Sequence, residues 1–131
     1  MGKAYSDLNE TSKAIEYCTQ SLDIVRKIEF RKIEGEALCT LGKVYSQIGE
    51  ISKAIDHCDQ ALSIFQNMEY RRGEAEALFY KSRALDKLNQ RPQAIDCAQK
   101  ALQIFQHLES PKAEKVRQQL AEWQASTQQE T

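Results

Sequence analysis

The sequence repeats itself with a period of 40 residues, and this repeat strongly limits the folds that the chain can adopt. The positions in register are Gly2/Gly42, Tyr5/Tyr45, Ala14/Ala54/Ala94, Ile15/Ile55/Ile95, Cys18/Cys58, Leu22/Leu62/Leu102 and Glu29/Glu69/Glu109. Three segments, SLDIVRKIE, ALSIFQNME and ALQIFQHLE, are copies of one another. We therefore divide the chain into repeat 1, repeat 2 and repeat 3, which cover about residues 1–30, 31–70 and 71–110.

Within each repeat, the apolar residues follow the 3.6-residue period of an α-helix and do not alternate as they do in a strand. In repeat 2, one stripe runs from Ala54 to Phe65, and a second stripe, predicted to face the core, contains Leu38, Leu41 and Tyr45. A glycine separates the two stripes, so each repeat is predicted to be a helical hairpin. The predicted helices cover residues 1–8, 12–28, 33–48, 52–68, 73–88, 92–108 and 111–125.

A single hairpin cannot bury both of its stripes, so successive hairpins must stack and share one core. We expect an all-α solenoid over residues 1–125, in which residues 111–125 form a capping helix. The Gln- and Thr-rich residues 126–131 are predicted to form a flexible tail. Repeat 1 has a shortened first helix, and we expect the chain to be a segment of a longer array or to self-associate through the apolar edge.

A motif in repeat 2 identifies the kind of hairpin. It reads Leu38-x-x-Leu41-Gly42-x-x-Tyr45, followed by Ala54-x-x-x-Cys58 and Ala61. This motif resembles the tetratricopeptide repeat, whose pattern is W-x-x-L-G-x-x-Y…A-x-x-x-F…P, and the 40-residue period resembles the long-repeat variants of that family. Repeat 3 departs from the pattern, with Ser82 and Leu85 in place of the Gly and the Tyr. The resemblance implies a right-handed superhelix of antiparallel hairpins that binds other proteins.

Composition and motifs exclude several function classes. The chain has 18 Lys and Arg against 19 Asp and Glu, so its net charge of −1 does not favour nucleic acid or an anionic membrane. It has neither the apolar run of a membrane span nor a secretory signal, which predicts a cytoplasmic location. It also lacks a phosphate-binding loop, a metal motif and a catalytic grouping, so we expect no enzymatic activity, cofactor or metal.

The four cysteines show no Cys-x-x-Cys pair, and we expect reduced thiols. Cys18 and Cys58 occupy the same repeat position on the apolar stripe, so both are predicted to be buried and slow to react. Cys39 lies on a different face from the stripe that contains Leu38, so it is predicted to be accessible and faster to react.

The candidate binding site is the face of each first helix next to its predicted apolar stripe, which in tetratricopeptide arrays lines a concave groove. Lys3, Lys43 and Arg83 share one repeat position and are predicted to stack as a basic column beside Phe79 and Tyr80. The predicted groove residues are Lys3, Cys39, Lys43, Ser46, Gln47, Phe79, Tyr80, Arg83 and Lys87. Such a surface suits an extended peptide with acidic and apolar side chains.

Other uses of this face stay open. Surface Lys and Arg are ordinary, so the groove residues can also be a solvated face of a structural segment whose groove is unused. The resemblance does not extend to the clamp for chaperone C-termini, because Cys39 and Lys43 stand where that clamp needs Lys and Asn. RNA binding is disfavoured because RNA-binding proteins usually carry positive charge.

Overall fold

The computed structural model describes the backbone of residues 2–129 and the side chains of residues 13 and 15–126. The described backbone forms five helices and no strand, which confirms the all-α helical repeat class. The helices are α1 (Gly2–Gln47), α2 (Ile51–Met68), α3 (Arg71–Lys87), α4 (Arg91–His107) and α5 (Lys112–Gln129). The chain divides into an N-terminal unit, Met1–Arg31, and a C-terminal unit, Lys32–Thr131.

The four helices α2 to α5 lie where the sequence predicts them, but the first three predicted helices are not separate. Residues 9–11 and 29–32, where turns were predicted, lie inside α1. Neither stretch contains a Pro or a Gly to interrupt a helix, whereas Pro111 immediately precedes α5 and Pro92 lies in the first turn of α4. At the other end, α5 continues to Gln129, beyond the predicted end of the capping helix.

The turns of the C-terminal unit repeat with the same period as the sequence. Gly49 and its repeat equivalent Asn89 adopt positive φ angles of 88° and 62°. Glu69 and Glu109 are likewise equivalent and adopt φ angles of 58° and 54°. After each glutamate, the next backbone N–H donates to the carbonyl of the preceding aromatic residue, from Tyr70 to Phe65 at 2.9 Å. These hydrogen bonds satisfy carbonyl groups that the helix end leaves without an intrahelical partner.

Small residues let the helices of the C-terminal unit approach closely. The Phe65 ring is fully buried between Gly35 and Gly73, and a Cβ atom added to either glycine would lie 2.6 Å from the ring. A Cβ atom on Gly42 would lie 2.6 Å from the Cys58 Sγ atom and 3.2 Å from the Ala54 carbonyl oxygen. Gly42 and Ala54 therefore allow α1 and α2 to pack closely.

A second core lies between α3, α4 and α5. Phe105, the repeat equivalent of Phe65, is buried there. Ala75 and Ala113 occupy the positions equivalent to Gly35 and Gly73. From α5, Val116, Leu120 and Trp123 enter the same cluster. The last helix therefore supplies a continuous apolar stripe to this core.

The buried face of α1 in the C-terminal unit differs from the predicted one. Its buried positions are Gly35, Cys39, Gly42 and Ser46, which follow one another at helical spacing. Leu41, predicted to face the core, is 41% exposed. The close approach of Gly35 to Phe65 and of Gly42 to Cys58 turns this stripe toward α2, and Leu41 lies on another face of the helix.

The N-terminal unit exposes its apolar side chains. These include Ile15, Tyr17, Leu22, Ile24, Val25, Ile28 and Phe30, each more than half exposed. Cys18 is also exposed, so the prediction that it is buried is wrong. That prediction assumed that the second helix of repeat 1 packs as α2 does, but none of these side chains is covered.

We expect Gly73→Ala to lower the free energy of unfolding by about 1–3 kcal/mol, because the added methyl group overpacks the Phe65 ring. This loss opposes the gain in helix propensity of up to about 1 kcal/mol that alanine brings. Urea denaturation measures the change. The control is Gly73→Ala in a Phe65→Leu background. The smaller leucine side chain leaves room for the methyl group, so the substitution should lower the free energy of unfolding by less than it does in the parent. Equal costs in both backgrounds would contradict the packing described for Phe65.

Candidate partner-binding groove

Seven of the predicted groove residues line two clefts of about 90 and 40 Å³ in the C-terminal unit. Three of the seven line both clefts, namely Lys43 from α1 and Tyr80 and Arg83 from α3. Lys43 and Arg83 are equivalent positions of consecutive repeats, and both side chains are exposed. Lys3, the predicted third member of the basic column, lies outside the residues whose side chains the structure describes.

Each of these two cations lies near an aromatic ring. The Lys43 Nζ atom is 6.0 Å from the centroid of the Tyr80 ring, and the Arg83 Cζ atom is 5.9 Å from that of Phe79. The two rings are themselves neighbours, with centroids 6.2 Å apart. A cation held near a ring face is favourable by about 0.5–1 kcal/mol at exposed sites and by more where it is desolvated. The arrangement therefore presents positive charge directly beside apolar surface.

The larger cleft contains more cations than carboxylates. Glu76 lies in it but forms ion pairs with Lys112 and with Arg72, the latter at 3.7 Å between Nε and Oε1. Among the side chains that the structure describes, no carboxylate lies within ion-pair distance of Lys43, Arg83 or Lys115. The positive charge of the cleft is thus only partly neutralised within the chain.

The smaller cleft adjoins the end of α1. Gln47 and Lys87 line it, and the Lys87 Nζ atom donates a hydrogen bond of 2.8 Å to the Ser46 carbonyl oxygen. That carbonyl lies in the last turn of α1, where a nearby cation is favourable for the helix dipole. Ser46 lines the cleft but is 8% exposed, so it offers a partner little surface.

Cys39 is not accessible, which contradicts the prediction. It is 5% exposed and belongs to a buried cluster with Ala61, Phe65 and Ala77. Burial, with smaller contributions from nearby Cys58 and Glu76, raises the pKa of its thiol from 9.0 to about 12. Cys39 therefore packs in the core between α1, α2 and α3 and lines neither cleft.

Phe79 also faces the core more than predicted. It is 9% exposed and joins the cluster of Phe105 and Val116, although it still lines the larger cleft. Phe79 was predicted only as a groove residue, whereas the structure buries most of its side chain in the core. Its equivalent in repeat 2 is Cys39, which is buried as well, so this repeat position points inward in both helices.

Two basic residues of the cleft were missed by the sequence analysis. Lys112 and Lys115, both near the start of α5, line it together with Phe105 and Val116. The segment 111–125 was interpreted only as a cap, so its polar residues were not assigned to the groove. The basic PKAEK sequence at its start is the signal that could have indicated them.

Two kinds of feature, a cluster of metal ligands and a membrane-spanning helix, were not found in the described part of the chain. No three His, Cys, Asp or Glu side chains among the described residues are placed to hold a metal ion. Of the helices described, none has the length and apolarity needed to cross a membrane.

The comparison with known families agrees with this architecture. The model of the tetratricopeptide repeat family matches residues 1–67 and 37–107. The chain belongs to the tetratricopeptide repeat family. Members of this family are generally protein–protein interaction modules and typically non-enzymatic scaffolds. No curated protein sequence matches the chain significantly.

We expect thiol reagents to label Cys18 faster than Cys39 and Cys58 in the native protein at about pH 8, because Cys18 is exposed and the other two are buried. Mass spectrometry of alkylated peptides over time measures the rates. Denatured protein serves as the control, where the three rates should converge. Labelling of Cys39 at the rate of Cys18 in the native state would contradict its burial.

We also expect stability to fall at alkaline pH. The pKa of Cys58 is raised from 9.0 to about 12 by burial, as is that of Cys39, so folding favours the protonated thiols. This stabilisation is present below the unfolded pKa of about 9 and is lost as pH rises toward 12, by about 1.4 kcal/mol per pH unit for each thiol.

Denaturation of Cys58→Ala between these pH values provides the comparison. The variant lacks this thiol and also loses the smaller effect of Cys58 on the pKa of Cys39, and both changes reduce the pH dependence. The slope of the unfolding free energy against pH should be shallower in the variant than in the parent. Identical slopes would show that the Cys58 thiol titrates alike in the folded and unfolded chains.

Proposed function

We propose that this protein is a non-enzymatic scaffold that binds an extended partner peptide in the groove lined by α1, α3 and α5 of the C-terminal unit. The observation that carries the proposal is the convergence of Lys43, Tyr80 and Arg83 on two clefts. These residues come from consecutive repeats, so a peptide lying across the two helices would contact both. The 40-residue period further leads us to place the chain among the long-repeat variants of its family.

The chemistry of the clefts favours a peptide with acidic and apolar side chains. Lys43, Arg83 and Lys115 supply positive charge without a carboxylate partner among the described side chains. Tyr80, which is half-buried, supplies an aromatic surface that a partner side chain can cover. Opposite charge would guide the peptide to the groove, and apolar contacts would contribute most of the affinity.

The cysteines support a cytoplasmic location for this function. All four are free thiols, and two of them, Cys39 and Cys58, are buried. Disulfides persist in oxidising compartments and are rare in the cytosol. We therefore propose that the protein meets its partner under reducing conditions.

We expect selection from a random peptide display library against the parent protein alone to yield peptides in which Asp or Glu alternates with apolar residues. The reason is that the clefts present cations beside aromatic rings. Arg83→Glu reverses one of these charges without disturbing a buried group, because Arg83 is exposed. The affinity of a selected peptide should fall about 5- to 30-fold for Arg83→Glu, or roughly 1–2 kcal/mol. Isothermal titration calorimetry measures it.

Lys100→Glu is the matched control, because Lys100 is an exposed cation of α4 that pairs with Asp96 and does not line either cleft. Its affinity for the peptide should stay within about twofold of the parent. The parent's binding should also weaken with added salt, because exposed charges are screened over about 8 Å at physiological ionic strength. Equal binding by the parent, Arg83→Glu and Tyr80→Ala would contradict the proposed groove.

A further inference from the structure

Two apolar stripes of α1 are left without cover. The first lies in the N-terminal unit, where Ile15, Leu22, Val25 and Ile28 are 51–61% exposed. The second begins the C-terminal unit at Ile33 and continues at Ala37, Leu41 and Val44. Of its large side chains, Ile33 is 59%, Leu41 41% and Val44 44% exposed. Exposed apolar runs of this kind mark interaction surfaces.

The repeat register shows what each stripe is suited to contact. The first stripe corresponds, 40 residues later, to the face of α2 that contains Leu62 and Phe65, and the second corresponds to the face of α3 that contains Gly73 and Ala77. In the next repeat these two faces pack against each other, and Phe65, Ala77 and Ala84 are completely buried there. The two stripes of α1 are therefore the two halves of one repeat contact.

The residue sizes at this contact support the pairing. Phe65 packs against Gly73, and in the following repeat the equivalent pair is Phe105 with Ala113. At the same two positions in α1, the large residue is replaced by Val25 and the small one by Ile33. Relative to Phe65 and Gly73, the residue on one stripe is smaller and the residue on the other stripe is larger. Such a compensating change is expected for two positions that fill a shared space.

The turn that would bring the two stripes together in one chain is not formed in α1. Val25 and Ile33 belong to this one helix, and residues 29–32 between them are helical. The repeat equivalents of Glu29 are Glu69 and Glu109, and both adopt left-handed φ angles. These residues follow α2 and α4 and lie in the turns that end the two helices. Glu29 instead lies inside α1. The two apolar stripes of α1 are therefore available for contact with another molecule.

We propose that a second copy of this chain covers both stripes by exchange. The stripe around Val25 of one copy packs on the stripe around Ile33 of the other, and the reciprocal contact forms at the same time. Exchange of this kind is closed and symmetric, so it yields a dimer and not a filament. Because the same contact forms twice, the exchanged dimer buries twice the area of a single helix pair.

The first test is the molar mass of the full chain by sedimentation equilibrium. The parent should have twice the mass of one chain, and Val25→Asp should halve it. Gln20→Asp is the matched control, because it adds the same charge to the same helix at a position whose equivalent, Gln60, is exposed. A monomeric parent, a larger oligomer, or a dimer that Val25→Asp leaves intact would overturn the proposal.

The second test does not depend on a destabilising variant. Chains carrying Val25→Cys and chains carrying Ile33→Cys, with different tags, are co-expressed and oxidised. Exchange predicts a disulfide that joins the two tags, whereas Gln20→Cys with Ile33→Cys should give little of this product. A double variant with both cysteines in one chain tests the alternative that the chain covers its own stripes. In that case oxidation would give an intrachain disulfide in a monomer. That result would overturn the dimer and show that residues 29–32 can form a turn.

Discussion

The packing of an aromatic ring between small residues sets the geometry of the C-terminal unit. Phe65 projects from α2 into the gap between Gly35 of α1 and Gly73 of α3, and neither position has room for a methyl group. Because the ring touches the first helices of two consecutive repeats, it fixes the distance between them. Phe105 fills the corresponding place one repeat later, with Ala75 and Ala113 beside it.

The groove follows from this spacing. Lys43 and Arg83 are far apart in sequence, but each occupies the same position on a first helix, so stacking of the repeats places them beside one another. The buried stripe beneath them, with Cys39 in repeat 2 and Phe79 in repeat 3, holds the two helices in register. The start of α5 then adds Lys112 and Lys115 to the same surface. The positive cleft is thus a product of the repeat and of the last helix together.

Periodicity was sufficient to predict the helices from α2 to α5, because glycine, asparagine or proline marks most of their ends and the apolar stripes are regular. It could not predict that residues 29–32 are helical. Glu29 and Glu69 are equivalent and locally similar in sequence, and the choice between a helix and a turn depends on packing that a repeat alignment does not contain.

The repeat register predicted part of the candidate site. Lys43 and Arg83 occupy equivalent exposed positions and line the same two clefts as Tyr80. Lys112 and Lys115 were not predicted, because their segment was interpreted only as a cap. Cys39 was misplaced because the stripe of Leu38 and Leu41 was taken as the core face. The helix is instead oriented by close contacts at Gly35 and Gly42, and Gly35 was not recognised because glycine has no side chain that contributes to a hydrophobicity pattern.

The central claim is that partners bind the face formed by Lys43, Tyr80 and Arg83. The most direct measurement is a nuclear magnetic resonance titration of the isotope-labelled chain with a peptide selected for binding. The account predicts that the largest amide shifts occur along this face and at Lys115, with small shifts for Lys100 and Gln103 on α4. Shifts concentrated on α4, or along residues 15–28 of α1 with none at Arg83, would contradict it.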